Sequence, residues 1–116
     1  MSVLSAMRIR YEALRSLDFS GITATFATVG AAFSNPVRIL KVTNLTDADL
    51  IVSFDGINDA DIVATNGFYL YDYGSNRSDM AGNAEQSVGD RVYVRSASSD
   101  PTMGTVYVTV IYLAQA

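Results

Sequence analysis

One short loop of the sequence crowds together four oxygen-bearing side chains, Asp55, Asn58, Asp59 and Asp61. Carboxylate and amide oxygens are the ligands that calcium prefers, so this loop is a candidate cation site. Its spacing does not match the EF-hand loop. Asp and Asn are also common in turns, because their side chains bond to nearby backbone groups. The turn interpretation is favoured, and no metal or other cofactor is predicted.

A row of three tyrosines at alternate positions, Tyr69, Tyr71 and Tyr73, is a second candidate for ligand chemistry. Alternate residues of a strand share one face, so the three rings form an aromatic stripe. Such a stripe can stack against a saccharide or a base. Tyrosine also suits a core edge or a subunit interface, because its ring is buried while its hydroxyl stays hydrated. We predict subunit contacts for these tyrosines, with a carbohydrate-binding module as an alternative.

Arginine is strongly preferred over lysine, since Lys41 is the single lysine of the chain. The planar guanidinium pairs with carboxylates in bidentate geometry, which makes arginine more frequent than lysine at interfaces. Arg91 and Arg95 lie on a predicted strand. We predict that both contact a neighbouring subunit.

The composition argues against catalysis and against nucleic-acid binding. The chain has no cysteine and no histidine, so it lacks a thiolate nucleophile, cysteine metal ligands and the commonest general base. No Gly-rich phosphate loop is present. Lys+Arg 8 against Asp+Glu 12 gives a net charge of -4, without a basic run to neutralise a phosphate backbone. We predict a protein that is not an enzyme and does not read nucleic-acid sequence.

The elements that must position these residues are short strands. Residues 7–16 fit both an alternating strand pattern and helical spacing, and the strand interpretation is favoured. The predicted strands are 7–16, 22–29, 37–43, 50–54, 68–73, 91–97 and 105–113. Turn signals such as Asn35-Pro36 and Asn66-Gly67 separate them. The sequence therefore predicts a single all-β domain over residues 1–116, an antiparallel β-sandwich or barrel of seven to eight short strands.

Several of these strands are apolar on both faces. Val106, Val108 and Val110 point to one side of the last strand, while Tyr107 and Ile111 point to the other. A sheet with one solvated face would alternate apolar and polar residues instead. The second apolar face needs a cover, and in so small a chain we expect another copy to provide it. Tyr107 and Ile111 are accordingly predicted at the subunit interface.

Residues 74–90 are rich in Ser, Asn, Asp and Gly and nearly free of apolar side chains. Loops of this length are uncommon in compact domains unless they carry function or become ordered on binding. We predict a long exposed loop that contacts a partner protein through Arg77, Asp79 and Met80. The sequence shows neither a secretory signal nor a membrane-spanning run, so we expect a soluble protein made in the cytoplasm without membrane contact.

Three strings of the sequence resemble small virion structural proteins of tailed bacteriophages. They are PVRILKVTN at 36–44, DLIVSFDG at 49–56 and GTVYVTVIY at 104–112. The segments RIRYE at 8–12 and SLDF at 16–19 are similar to the start of those proteins, so the resemblance covers nearly the whole chain. Some members carry a basic residue or a histidine in the loop after the Phe-Asp-Gly turn. This chain has Ile57-Asn58-Asp59-Ala60-Asp61 there, so no ligand role is carried over to that loop.

The resemblance implies a β-sandwich component of the particle. The leading hypothesis is a non-enzymatic structural subunit that forms a ring at the head-to-tail connector, or neck, of a tailed phage. Its expected partners are copies of itself and other virion proteins such as portal, adaptor or tail proteins. Its expected location is the virion, assembled in the host bacterial cytoplasm. A capsid decoration protein or head-fibre-base protein is the alternative within the same fold.

Overall fold

The computed structural model describes residues 7–73 and 86–115, which form two antiparallel sheets packed face to face. Within these residues nine strands are present: β1 (Met7–Tyr11), β2 (Arg15–Asp18), β3 (Ala27–Thr28), β4 (Ile39–Asn44), β5 (Leu50–Ser53), β6 (Asp61–Val63), β7 (Phe68–Asp72), β8 (Tyr93–Ser96) and β9 (Thr105–Gln115). The first sheet has the order β1-β9-β4-β7, with β2 also paired to β9. The second sheet has the order β3-β8-β5-β6. The predicted antiparallel β-sandwich is confirmed, with nine strands where seven to eight were predicted.

The core lies between the two sheets and follows the strand alternation. On β4 the buried residues are Leu40, Val42 and Asn44, and the residues between them are half-buried. The second sheet contributes Leu50, Val52, Val63 and Val94 to the same core, and β9 contributes Val106, Val108 and Val110. Removal of these apolar side chains from water is the main stabilising term of the fold.

The first predicted strand is wrong in one respect, because it is interrupted between β1 and β2. Tyr11 lies opposite Ile111 and Arg15 lies opposite Val108, so three residues of this strand face two of β9. One extra residue makes a β-bulge, which shifts the alternation by one. Side chains of β2 at Arg15 and Leu17 therefore point inward, while Ile9 and Tyr11 of β1 point outward with Ile111.

Two other segments also differ from the sequence prediction. The predicted strand over 22–29 is reduced to β3, although Ile22 and Val29 are both buried. Conversely, β6 was not predicted, because its three residues are too few to show an alternation. Its place in the sheet comes from pairing with β5, where Val63 lies opposite Leu50.

The polar turn after β4 joins the two sheets. The Asn44 side chain is fully buried, and its Oδ1 accepts hydrogen bonds from the backbone N of Thr46 (3.0 Å) and from its hydroxyl (2.6 Å). Asn44 Nδ2 donates to the carbonyl oxygens of Ala48 (2.8 Å) and Val63 (3.0 Å). Asn44 therefore fixes the end of the first sheet to β6 of the second.

Candidate interaction surface

The side of the first sheet that faces away from the core is defined by residues in register across four strands. Phe68 lies opposite Thr43, and Thr43 lies opposite Tyr107. Two further rows run in parallel, and they are Leu70-Lys41-Thr109 and Asp72-Ile39-Ile111-Tyr11. Opposed residues of antiparallel strands share a face, so these side chains form one surface, which we call the outer sheet face.

The outer sheet face leaves large apolar side chains in contact with water. Phe68 is 62% exposed and Leu70 55% exposed, and Tyr11 at the other edge is 67% exposed. A fully buried aromatic side chain removes 150–250 Å² from water, so Tyr11 and Phe68 alone offer on the order of 250 Å². Leu70 and the half-exposed Ile39, Tyr107 and Ile111 add to that area. The total approaches the roughly 300–600 Å² of the largest apolar patch on a typical monomer, and such patches often have a function.

Beyond the core, β1 and the end of β9 form a two-stranded ribbon. β4 begins at Ile39, opposite Ile111, so within the described residues Tyr112–Gln115 pair with β1 alone. The side chains of 8–11 are all exposed, among them Ile9, which lies opposite Leu113. An isolated two-stranded ribbon is only marginally stable in water. We call residues 7–11 and 111–115 the terminal ribbon; its apolar side continues the outer sheet face.

The predicted tyrosine stripe is present, and it lies on the core side of edge strand β7. Tyr69 and Tyr71 lie opposite Val42 and Leu40, which are core residues, so their rings cover the open side of the sandwich. Tyr71 and Tyr73 are half-buried with stacked rings 6.5 Å apart, and the Tyr71 hydroxyl donates to Asp61 at 2.8 Å. Burial, followed by the hydrogen bond to Asp61, raises the pKa of Tyr71 above its usual range. Only Tyr69 of the three is exposed, an arrangement that favours packing over a saccharide platform.

Arg91 and Arg95, predicted at a subunit contact, both bond within the chain. The Arg95 guanidinium pairs with the Asp59 carboxylate at 2.8 Å and donates to the Ser96 carbonyl oxygen. Arg91 donates to the carbonyl oxygen of Gly30 at 2.9 Å, and its buried Nε has no hydrogen-bond partner among the described residues. These contacts hold β8 and its flanking loops in place.

The predicted contact arm lies mostly outside the described residues, and so do Arg77, Asp79 and Met80. The described end of that loop is bonded to the body of the protein. Gln86 and Val37 exchange backbone hydrogen bonds of 3.0 and 2.9 Å, and Gln86 Nε2 donates to Asp90. Residues 86–90 are therefore anchored beside the start of β4.

The acidic loop is a hydrogen-bonded turn. Asp55 Oδ1 accepts from the backbone N of Ile57 and Asn58, both at 2.8 Å, and from the Ser53 hydroxyl. These bonds, those from Asn58 and Ile57 foremost, hold the pKa of Asp55 well below its usual range. Asp59 forms an ion pair with Arg95, and Asp61 accepts a hydrogen bond from the Tyr71 hydroxyl. In the described part of the chain, no three Asp or Glu residues gather as ligands for one metal ion.

A cleft of about 460 Å³ beside the bulge contains the buried ion pair of Glu12 and Arg15. The two side chains are 2.7 Å apart, and Arg15 also donates to the carbonyl oxygens of Ala13, Ala31 and Ala32. Burial raises the pKa of Glu12, but bonds from Asn35, Arg15 and Ser34 outweigh it, and the net pKa is lowered. The pair holds residues 30–35 against the bulge through these hydrogen bonds. The Glu12 carboxylate is therefore already bonded to Arg15, Ser34 and Asn35.

Sequence reasoning named Tyr107 and Ile111, which the structure places half-exposed on the outer sheet face. It missed Phe68, Leu70 and the exposed residues of β1. The signal was available for Phe68 and Leu70, because they alternate with the tyrosines and so occupy the opposite face. The outward side of Ile9 and Tyr11 depends on the bulge, which the sequence pattern does not reveal.

Among residues 7–73 and 86–115, no helix has the length and apolar character needed to cross a membrane. Comparison with protein-family models and with curated proteins finds no match for this chain.

Proposed function

We propose that this protein is a non-enzymatic structural subunit that assembles with copies of itself in the particle of a tailed phage, as a ring at the head-to-tail connector. The observation that carries the self-assembly is the outer sheet face, where Phe68, Leu70 and Tyr11 leave apolar area exposed along one continuous surface. The phage particle and the neck position rest on the sequence resemblance.

The magnitudes support assembly over a solitary monomer. Each aromatic ring that moves from water into an interface contributes about 25 cal/mol per Å². The exposed parts of Tyr11 and Phe68 then correspond to roughly 6 kcal/mol before the costs of association. A stable interface buries about 800 Å² per partner, and Tyr11 and Phe68 alone would supply roughly a third of that area.

The self-assembly is tested by sedimentation velocity of the purified protein, with a matched pair of substitutions. Phe68→Glu places a charge on the outer sheet face, whereas Val88→Glu does the same at a 57% exposed site in the loop before β8. We expect wild type and Val88→Glu to form the same oligomer and Phe68→Glu to dissociate. A wild-type protein that stays monomeric at high concentration overturns the proposal.

The location in the particle is tested by immunogold labelling of purified phage with an antibody against this protein. Label at the junction of head and tail supports the connector. Label spread over the capsid surface would contradict the neck position and indicate a decoration protein. Particles that lack the protein altogether overturn the virion role.

A further inference from the structure

The terminal ribbon is basic. The charged residues of Met7–Tyr11 and Ile111–Gln115 are Arg8 and Arg10, with no acidic residue in either segment. Both arginines are exposed, and they lie opposite Ala114 and Tyr112. Side chains alternate along β1, so the arginines occupy one side of the ribbon and Ile9 with Tyr11 the other. The ribbon thus combines an apolar side with two positive charges.

The opposite end of the first sheet is acidic. β9 rises over about 30 Å from the tip of the ribbon to Thr105. There Asp18 lies opposite Thr105, and Asp47 accepts a hydrogen bond from the backbone N of Thr102 at 2.7 Å. Two exposed apolar residues are bonded to the same region. The backbone N of Leu45 donates to the carbonyl oxygen of Thr105, and the backbone N of Met103 donates to Asp47. We call Asp18, Leu45, Asp47 and Met103 the acidic end.

Both carboxylates of the acidic end are held in the charged form. The side chain and backbone of Ser20 donate to Asp18, and the side chain and backbone of Thr102 donate to Asp47. These bonds lower the pKa of both groups below the usual value of 3.8. Hydrogen bonds also fix the two side chains in place, so their negative charge is presented in one arrangement.

We propose that the arginine side of the terminal ribbon of one copy docks on the acidic end of the next copy, so that Arg8 and Arg10 face Asp18 and Asp47. This inference rests on the proposed function, because it adds a charged contact to the apolar one through which the copies assemble. Each surface pairs exposed apolar side chains with charges of one sign, and the two signs are opposite. Complementary charge fixes register and partner choice at an interface.

The two surfaces lie at opposite ends of the first sheet, so the contact is head-to-tail and every copy uses both. Such contacts close into a ring when the rotation between copies divides a full turn, and otherwise continue into a filament. The ribbon also gains from the contact, because its exposed strand β1 acquires a packing partner that the isolated chain does not give it.

The contact is tested first by matched neutral and charged variants in sedimentation velocity. Arg8→Gln with Arg10→Gln removes two positive charges, and Ser87→Glu with Val88→Glu adds two negative charges at exposed positions elsewhere, so both proteins have the same net charge. We expect the ribbon variant to self-associate at least about tenfold more weakly and the control to match wild type. Equal effects in both variants overturn the contact, because they indicate only a response to net charge.

A charge exchange then identifies the two partners. Arg8→Glu with Arg10→Glu makes the ribbon acidic, and Asp18→Lys with Asp47→Lys makes the acidic end basic. Each variant alone repels itself at the head-to-tail contact, whereas in a mixture each ribbon meets an end of opposite charge. We expect monomers from each variant and restored assembly in the equimolar mixture. A mixture that stays monomeric, or an Asp18/Asp47 variant that assembles alone, overturns the proposal.

Two measurements keep this outcome separate from misfolding and from failure of the proposed function. Circular dichroism melts establish that each variant is folded. If the lysine variant is not, Asp18→Asn with Asp47→Asn keeps one acceptor oxygen at each position, and weakened assembly is then expected. Assembly of wild type that no ribbon or acidic-end variant disturbs overturns only the contact. A monomeric wild type overturns the proposed function as well.

Discussion

Asn44 Nδ2 donates to the carbonyl oxygen of Val63 at 3.0 Å, and this bond runs from the last residue of β4 to the last residue of β6, in the other sheet. Four further hydrogen bonds of the same side chain reach Thr46, Ala48 and Ala64. The side chain is fully buried, and so are its partners Thr46, Ala48 and Val63. Asn44 therefore couples the two sheets through a polar contact inside an apolar core.

We expect Asn44→Ala to lower the free energy of unfolding by about 3 kcal/mol, because it leaves several buried polar groups unsatisfied. Asn58→Ala is the control, since Asn58 is exposed and bonds only within its own turn. It should cost less than about 1 kcal/mol. Urea unfolding measures both values. Equal losses would show that the hydrogen bonds of Asn44 between the sheets stabilise the protein no more than those of an exposed turn.

Gly104 lies where the backbone of β9 approaches the turn after β4. Its φ is +95°, and a Cβ at this position would lie 2.0 Å from the carbonyl oxygen of Leu45. Gly89 has a similar φ of +91°, and no atom of the described residues lies within 4 Å of its Cβ position. We expect Gly104→Ala to destabilise the protein by more than about 3 kcal/mol and Gly89→Ala by about 1 kcal/mol. The difference in thermal unfolding isolates the steric contact; indistinguishable melts would mean that only φ matters.

The ion pair of Glu12 and Arg15 predicts a loss of stability in acid. The pKa of Glu12 is below its usual 4.5 in the folded protein, so the unfolded chain binds its proton first as the pH falls. The stabilisation is complete above pH 4.5 and disappears as the pH falls through the folded value. Glu12→Gln should lose roughly 3 kcal/mol at neutral pH, because the buried Arg15 is left without its carboxylate.

The measurement is urea unfolding of wild type and Glu12→Gln at a series of pH values from neutral to acid. The other carboxylates with lowered pKa, at Asp18, Asp47 and Asp55, are present in both proteins. The difference between the two curves therefore reports Glu12 alone, and it should shrink as the pH falls. A difference that is constant with pH would contradict the lowered pKa.

Tyr71 and Tyr73 are predicted to resist ionisation in the folded protein. Burial is the main cause that raises the pKa of both, with the bond to Asp61 adding to it for Tyr71. The folded state therefore keeps protons that the unfolded chain releases near pH 10, and stability falls as the pH rises above that value. Ultraviolet titration of the folded wild type should include tyrosine ionisation at a pH above the usual range, and Tyr71→Phe should remove one such group. An unchanged high-pH titration in that variant would contradict the raised pKa of Tyr71.

Much of the fold could be predicted because the strands have clear alternation and their turns have strong signals. The segment around Leu40 and Val42 alternates as its burial does, and Asn66-Gly67 forms the tight turn that its residue types predict, with Asn66 at φ 57°. Short elements were not predictable in the same way. β6 contains three residues, and only its pairing with β5 makes it a strand.

The candidate surface was predictable only in part, because it depends on register. Two apolar faces on β9 correctly indicated that Tyr107 and Ile111 lie away from the core. Tyr11 points outward, whereas Arg15 points inward, because one extra residue lies between β1 and β2. A period-2 pattern continued through 7–16 would place both side chains on the same face. The roles of Arg91 and Arg95 within the chain needed tertiary contacts between segments far apart in sequence.

β9 is the central strand of the first sheet, and it follows every other strand in the chain. During translation β1, β2 and β4 are therefore exposed before the strand to which they all pair exists. Non-local pairing of this kind makes folding slow and exposes nascent chains to aggregation. The first sheet is therefore completed only after β9 has been synthesised, which delays its formation to a late stage of translation.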